Sequence, residues 1–141
     1  MADRVVRIGL AVLAAIGLMV GVWAAFFPRS FYDDFPSGGR VWVAVDGPYN
    51  EHLVRDVGEL NLALAVAAIV AAVTLARWAV VAAAAAWAVN ALPHLVYHLR
   101  HLDLYDTTDQ VANVASLVGA LVLPVVVLVA EWRRPGPREP A

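Results

Sequence analysis

Trp78-Ala-Val-Val-Ala-Ala-Ala-Ala-Ala-Trp87-Ala-Val-Asn90-Ala-Leu-Pro93-His94-Leu-Val-Tyr97-His98-Leu-Arg100 is long and apolar enough to cross a bilayer as one helix, a crossing that takes about 20 residues. The run nevertheless carries Asn90, His94 and His98, with His101 just beyond it. At the helical step of about 100° per residue these four fall within roughly 80° of one another. Tyr97 and Trp87 lie on or beside the same stripe. Titratable groups at membrane depth are costly and turn toward a protein interior or a water-filled cavity. The stretch therefore predicts a membrane helix, and one whose polar face needs company.

The rest of the chain supplies that company. Of its 141 residues, 62% are hydrophobic, too many for a soluble domain of this length. Further apolar runs extend from about Val5 to Phe27, Leu53 to Ala76 and Asp109 to Ala130, which with residues 78–100 makes four spans. The first run is longer than a signal-peptide core and reads as an uncleaved anchor. The chain is predicted to be all-α: an antiparallel four-helix transmembrane bundle over residues 1–134, followed by a disordered tail over 135–141.

The net charge of −2 offers no basic surface for nucleic acid, and the absence of cysteine excludes disulfides and thiolate metal sites. All ten basic residues are arginine. Arg4, Arg7, Arg77, Arg133, Arg134 and Arg138 flank one set of span ends, and Arg29, Arg40, Arg55 and Arg100 flank the other. The positive-inside rule then places both termini in the cytoplasm of a multi-pass cell-membrane protein. All four histidines and nine of the acids fall toward the opposite, outer side.

Arg77 nearly alone separates spans two and three, so a tight helical hairpin is expected there. Thr107 and Gln110 have the capping-box spacing, which predicts the start of the fourth helix. The one long connection, residues 28–50, holds Phe31, Tyr32, Phe35, Trp42 and Tyr49, suited to an interfacial aromatic belt. Its Pro36-Ser-Gly-Gly39 is a turn signal, and Val41–Val45 reads as a short strand or an interfacial segment. The loop is either a lid over the bundle mouth or an anchor in the headgroups. On the first span Ala14, Gly17, Gly21 and Ala25 form a ridge of small residues that favours close helix packing.

Two other spans open on polar faces. His52, Asp56 and Glu59 share one, with Arg55 at its edge; Asp106, Asp109, Asn113 and Ser116 share the other. Lipid cannot satisfy such groups, so the three faces are expected to turn toward one another. With the third span leaving the hydrocarbon near His98, the 1.5 Å rise puts His94 about 6 Å below that boundary and Asn90 about 12 Å below. The expected object is an outward-facing His/carboxylate pocket floored by Trp87.

Histidines four apart on one helix can share a divalent metal. His94 and His98 are the candidate metal ligands, or else an acid/base pair. Asp56, Glu59 and His52 are expected to complete the site, Asp109 and Asn113 to orient it, and Asn90, Tyr97 and Trp87 to line it. Haem or quinone ranks behind a metal as cofactor. The resulting expectation is a small membrane protein that binds a metal, a cofactor or a lipophilic small molecule, with redox or hydrolytic activity open. The rival is a non-catalytic accessory subunit whose polar groups tie helices together or contact a membrane-protein partner. A proton or solute pathway ranks last, since the inner half of the bundle is nearly without polar groups. Structural readings stand beside these: Arg55 in an ion pair with Asp56 or Glu59, Glu51 as an acid at a helix start, and His52 and His101 as interfacial residues.

The segment Arg55-Asp56-Val-Gly58-Glu59-Leu-Asn-Leu-Ala-Leu-Ala, opening the second of four spans after a long aromatic loop, resembles the DoxX-like group of small bacterial membrane proteins. The resemblance implies a four-span fold and an association with quinone-dependent sulfur oxidation or membrane redox complexes. It carries over no site residue.

Overall fold

The computed structural model describes residues 1–134, so the tail expected over 135–141 lies outside the described residues. The described chain runs α1 (Ala2–Phe26), α2 (Pro28–Asp34), β1 (Pro36–Ser37), β2 (Arg40–Val41), α3 (Glu51–Thr74), α4 (Arg77–Leu99), a 3-10 turn (Leu102–Leu104) and α5 (Thr107–Trp132). Helices α1, α3, α4 and α5 are each long and apolar enough to cross a membrane, and each matches an expected span to within two or three residues.

Local chemistry explains the boundaries. The Asn50 side chain accepts the Leu53 N–H at 3.2 Å, satisfying one of the unpaired donors at the start of α3. The end of α3 is set by Leu75, whose φ of 51° is left-handed and whose N–H returns to the Ala71 carbonyl. This one-residue reversal makes the α3–α4 connection as tight as expected. At α5 the cap is Asp106 and not the Thr107 of the expected capping box. The Asp106 carboxylate takes the Asp109 N–H at 2.9 Å, while Gln110 reaches back to the Tyr105 carbonyl. A charged acceptor at the positive end of the helix outcompetes the neighbouring hydroxyl.

The four long helices pack as a ring in which α1 lies chiefly on α3, and α4 on α5. The ridge predicted on α1 is the seam. A Cβ built on Gly17 would stand 2.9 Å from the Asn61 carbonyl oxygen, one on Gly21 2.8 Å from Leu62, and one on Gly58 only 2.3 Å from the Ala25 nitrogen. Gly17 also faces the Ala65 Cβ at 3.0 Å, so partners on α3 descend from Ala65 through Leu62 to Gly58 as those on α1 rise from Gly17 through Gly21 to Ala25. Below this seam Val6, Leu10, Leu13, Ala68, Val80 and Val127 form the fully buried core.

The bundle has two unlike ends. At the end holding both helix termini, Glu131 is 1% exposed. Arg134 bonds the Glu131 carboxylate at 2.6 Å, Asp3 of α1 at 2.6 Å and the Leu75 carbonyl at 3.1 Å. One guanidinium thus ties α1, the α3–α4 turn and α5. At the other end residues 28–50 fold over the helices. Helix α2 packs first, then a small hairpin pairs Pro36 with Val41 and Ser37 with Arg40. Gly38 and Gly39 both have positive φ, the signature of a primed two-residue turn.

The expected turn is therefore present, and the strand, Arg40–Val41, takes in only Val41 of the Val41–Val45 stretch. The aromatic residues do not form an outward belt. Phe31 and Trp42 are buried, and Trp23, Phe31, Phe35 and Trp42 pack in a chain with ring centroids 4.7–6.1 Å apart, edge-on except for the tilted Phe31–Phe35 pair. Burying these rings against Val54 and Ala24 builds a second small core, which gains more than leaving them at the rim.

Candidate functional site

The polar face of α4 emerges beneath the folded loop. His94 and His98, one helical turn apart, bring their ring centroids to 4.7 Å. Tyr97 stacks on His101 at 4.2 Å. Asn90, half-buried, lies one turn below His94.

Three contacts hold the loop onto this face and onto α5. The Tyr97 hydroxyl donates to Asp46 at 2.9 Å. The Tyr105 hydroxyl donates to the Trp42 carbonyl at 3.1 Å. Arg40 pairs with Asp109. Residues 40–46 are thereby tied down beside the histidine row, where His94 is exposed and His98 partly buried; these contacts favour the lid reading of the loop over the anchor.

Each contact has a local cause. Tyr105 follows the 3-10 turn and is buried, so its phenol must find a partner. Burial first, and the negative charge of Asp46 second, push that phenol up to about 12, so it remains a hydroxyl donor at any ordinary pH. Asp109 sits in the first turn of α5, where a carboxylate is already favoured, and Arg40 completes its charge balance.

The hydrogen bonds also assign ring nitrogens. His101 Nδ1 lies 2.8 Å from the Tyr97 carbonyl, which can only accept, so Nδ1 carries the proton. His98 Nδ1 lies 3.4 Å from the Tyr105 hydroxyl. Two further polar atoms are buried without a partner: Trp42 Nε1 on the lid and Asn113 Oδ1 on α5. Asn113 is 2% exposed, and a buried amide oxygen left in this state is costly.

The remaining candidates are placed differently from expectation. His52, Asp56 and Glu59 do share a face of α3, but that face points away from the bundle. The His52 and Asp56 side chains, 3.4 Å apart, are 83% and 51% exposed, and Glu59 is exposed as well. The reason is the seam with α1: Gly58 and Val54 must face Ala24 and Ala25, which turns the polar face outward. Asp56 and Glu59 therefore do not complete the histidine site.

Arg55 pairs with Glu51 at 2.8 Å instead of Asp56 or Glu59, and also caps the Ala25 carbonyl. Trp87 is 2% exposed and donates its indole N–H to the Leu64 carbonyl at 3.2 Å; it belongs to the packed core and does not floor an open pocket. Among the described residues no three His, Asp or Glu side chains converge closely enough to hold a metal ion. A cation at His94 and His98 would draw its other ligands from water or from a bound molecule.

Trp42, Asp46, Arg40 and Tyr105 take part in the site without having been read as its members. Asp46 has no sequence signal, lying in an aperiodic loop; Trp42 reads as an interfacial aromatic, and Tyr105 carries no sequence assignment. At the opposite end Arg134 reads only as a topology marker, and Glu131 carries no assignment.

Comparison with protein-family models, with curated proteins and with solved structures gives no match.

Proposed function

We propose that this chain is a multi-pass membrane protein, an antiparallel four-helix bundle with both termini in the cytoplasm, whose outward end carries a lidded imidazole site for a small ligand. The observation behind this reading is the convergence of Arg40, Trp42 and Asp46 of the loop on the histidine-bearing face of α4 and on Asp109 of α5. An interfacial anchor would have no reason to bond its polar groups to Tyr97, Tyr105 and Asp109 beside a row of imidazoles.

The ligand is a metal ion, a cofactor or a lipophilic molecule with a polar head. His94 and His98 meet it as ligands or as an acid/base pair, and redox or hydrolytic chemistry would act there. The orientation is supported by the five arginines at the clamp end, Arg4, Arg7, Arg77, Arg133 and Arg134. Kinship with the DoxX-like group is retained as a proposal. In this chain its segment has packing work to do, since Arg55 caps α1 and Gly58 admits the α1 backbone.

The full chain in lipid nanodiscs should retain a ligand through purification or bind Zn²⁺ or Co²⁺ stoichiometrically. His94→Ala and His98→Ala should each remove that binding while leaving the helical content and unfolding temperature near those of the parent.

One observation favours a second reading, an accessory subunit: the His52, Asp56 and Glu59 face of α3 is exposed and makes no contact with the rest of the bundle. Wild-type protein free of metal, chromophore and bound lipid, with the histidine variants changing only thermal stability, would transfer the preference to that reading.

A further inference from the structure

We infer that Tyr105 is a positioning residue for the histidine row: clamped by the lid, it holds His98 as the Nδ1–H tautomer and leaves His98 Nε2 as the open lone pair that meets the ligand. The inference rests on the proposed ligand site and adds which atom of the row faces the ligand, and hence what chemistry the ligand must offer.

The reasoning is a count of protons. A phenol has one hydrogen to donate. The Trp42 carbonyl oxygen can only accept, and it stands 3.1 Å from the Tyr105 hydroxyl, so the phenol's hydrogen is committed to the lid. The same hydroxyl oxygen lies 3.4 Å from His98 Nδ1. With its hydrogen already used, the oxygen can only accept from that nitrogen, which must therefore carry the proton. In a neutral imidazole the other nitrogen is then an acceptor. Free histidine prefers the opposite tautomer, protonated at Nε2, so the protein is imposing a choice. His101 is given the same tautomer by the Tyr97 carbonyl. Two successive imidazoles of the row are thereby fixed alike, the arrangement by which outer partners prepare histidines for ligation.

Two consequences follow. First, the ligand presents an electron-pair acceptor to His98: a divalent cation, or a protic O–H or N–H group. A bare carbonyl or an anion would meet a lone pair and be repelled. Second, the lid and the ring are coupled. When residues 40–46 lift, Trp42 no longer takes the phenol's hydrogen, Tyr105 becomes free to donate to Nδ1, and His98 reverts to the Nε2–H form. Lid closure and readiness of the ligating nitrogen are one event.

The test is ¹⁵N NMR of the full chain labelled at histidine, held in nanodiscs at a pH of about 8.5, where an ordinary imidazole is neutral. The His98 resonances are assigned by their loss in His98→Asn. In wild type, His98 Nδ1 should show the shift of a protonated nitrogen and Nε2 that of a bare one. Tyr105→Phe, which keeps the ring and removes the hydroxyl, should convert His98 to a majority Nε2–H form while His101 keeps its Nδ1–H signature as an internal reference. Arg40→Ala, which loosens the lid without touching Tyr105, should move His98 in the same direction to a smaller extent, and supplies the same readout should Tyr105→Phe fold poorly. A wild-type His98 protonated at Nε2, or an unchanged tautomer in both variants, overturns the inference. Titrating Zn²⁺ into the same samples separates the two claims: a correct tautomer without binding defeats the proposed ligand site alone, and binding with the wrong tautomer defeats the role of Tyr105 alone.

Discussion

The two ends of the bundle are held together in opposite ways. At the terminal end one partly buried guanidinium, Arg134, gathers the buried Glu131, Asp3 and the Leu75 carbonyl. At the loop end three separate contacts, Arg40 with Asp109, Tyr97 with Asp46 and Tyr105 with Trp42, share the work, and two of the three residues that receive the loop, Tyr97 and Asp109, are at least partly exposed. A buried ion pair loses heavily when one partner is removed, because the other is left charged in a poor solvent. Exposed pairs lose little. The terminal end is therefore built as a clamp and the loop end as a latch.

The comparison can be broken most severely at the clamp. Arg134→Ala leaves Glu131 buried without its partner and should cost about 3–5 kcal/mol, seen as a large drop in the unfolding midpoint in detergent. An unchanged midpoint would mean that the clamp is not a clamp. Next comes the α1–α3 seam that both ends share. Gly58→Ala places a methyl group 2.3 Å from the Ala25 nitrogen, where only backbone could move aside, and should cost about 1–3 kcal/mol. Gly9→Ala meets a single Val127 side-chain methyl instead of backbone and should cost less, so a reversed ranking would count against the packing described.

At the latch, Asp109→Asn should destabilise by only about 0.5–1 kcal/mol while accelerating proteolysis at the exposed Gly38–Gly39 turn. The latch should also open with alkali. The Tyr105 phenol is raised from 10.0 to about 12 in the folded chain, so its contribution is complete below pH 10 and is lost as pH rises toward 12. Turn cleavage that stays flat across that window would argue that Tyr105 does not hold the lid. The smallest effect is expected on the outward face of α3: Glu59→Gln should change stability by less than about 0.5 kcal/mol and leave any ligand binding intact, as an exposed surface substitution does.

Helix spacing alone placed much of this molecule. Four spans, the tight turn after Leu75, the Gly38–Gly39 reversal and the His94–His98 pairing all follow from local periodicity and turn chemistry, and they are where the sequence puts them. The polar faces of α3 and α4 show the limit of that reasoning. Both were correctly grouped, yet only the α4 face is joined by the loop, through Tyr97. Periodicity says which residues lie together on a helix; it does not say how the helix is rotated about its axis in the bundle. For α3 that rotation is set by close backbone contact at Gly58 and by Gly17 and Gly21 across the seam. Gly58 lies well around the helix from Asp56 and Glu59, so reading it as a contact point would have turned the acids outward. Trp87 was misplaced for a related reason: an aromatic residue beside a polar stripe satisfies its N–H equally well on a neighbouring backbone carbonyl, here that of Leu64.

What the sequence determined by itself is everything that depends on near neighbours along the chain: the apolar lengths, the caps and turns, the small-residue ridge of α1 and the row of imidazoles on α4. What the tertiary structure decided is which of these meet. Asp46 on Tyr97, Trp42 on Tyr105, Arg40 on Asp109 and Asp3 on Arg134 join residues that are 51, 63, 69 and 131 positions apart. Contacts of that range are selected by how four helices can rotate and pack at once, a collective property of the bundle that no local pattern encodes.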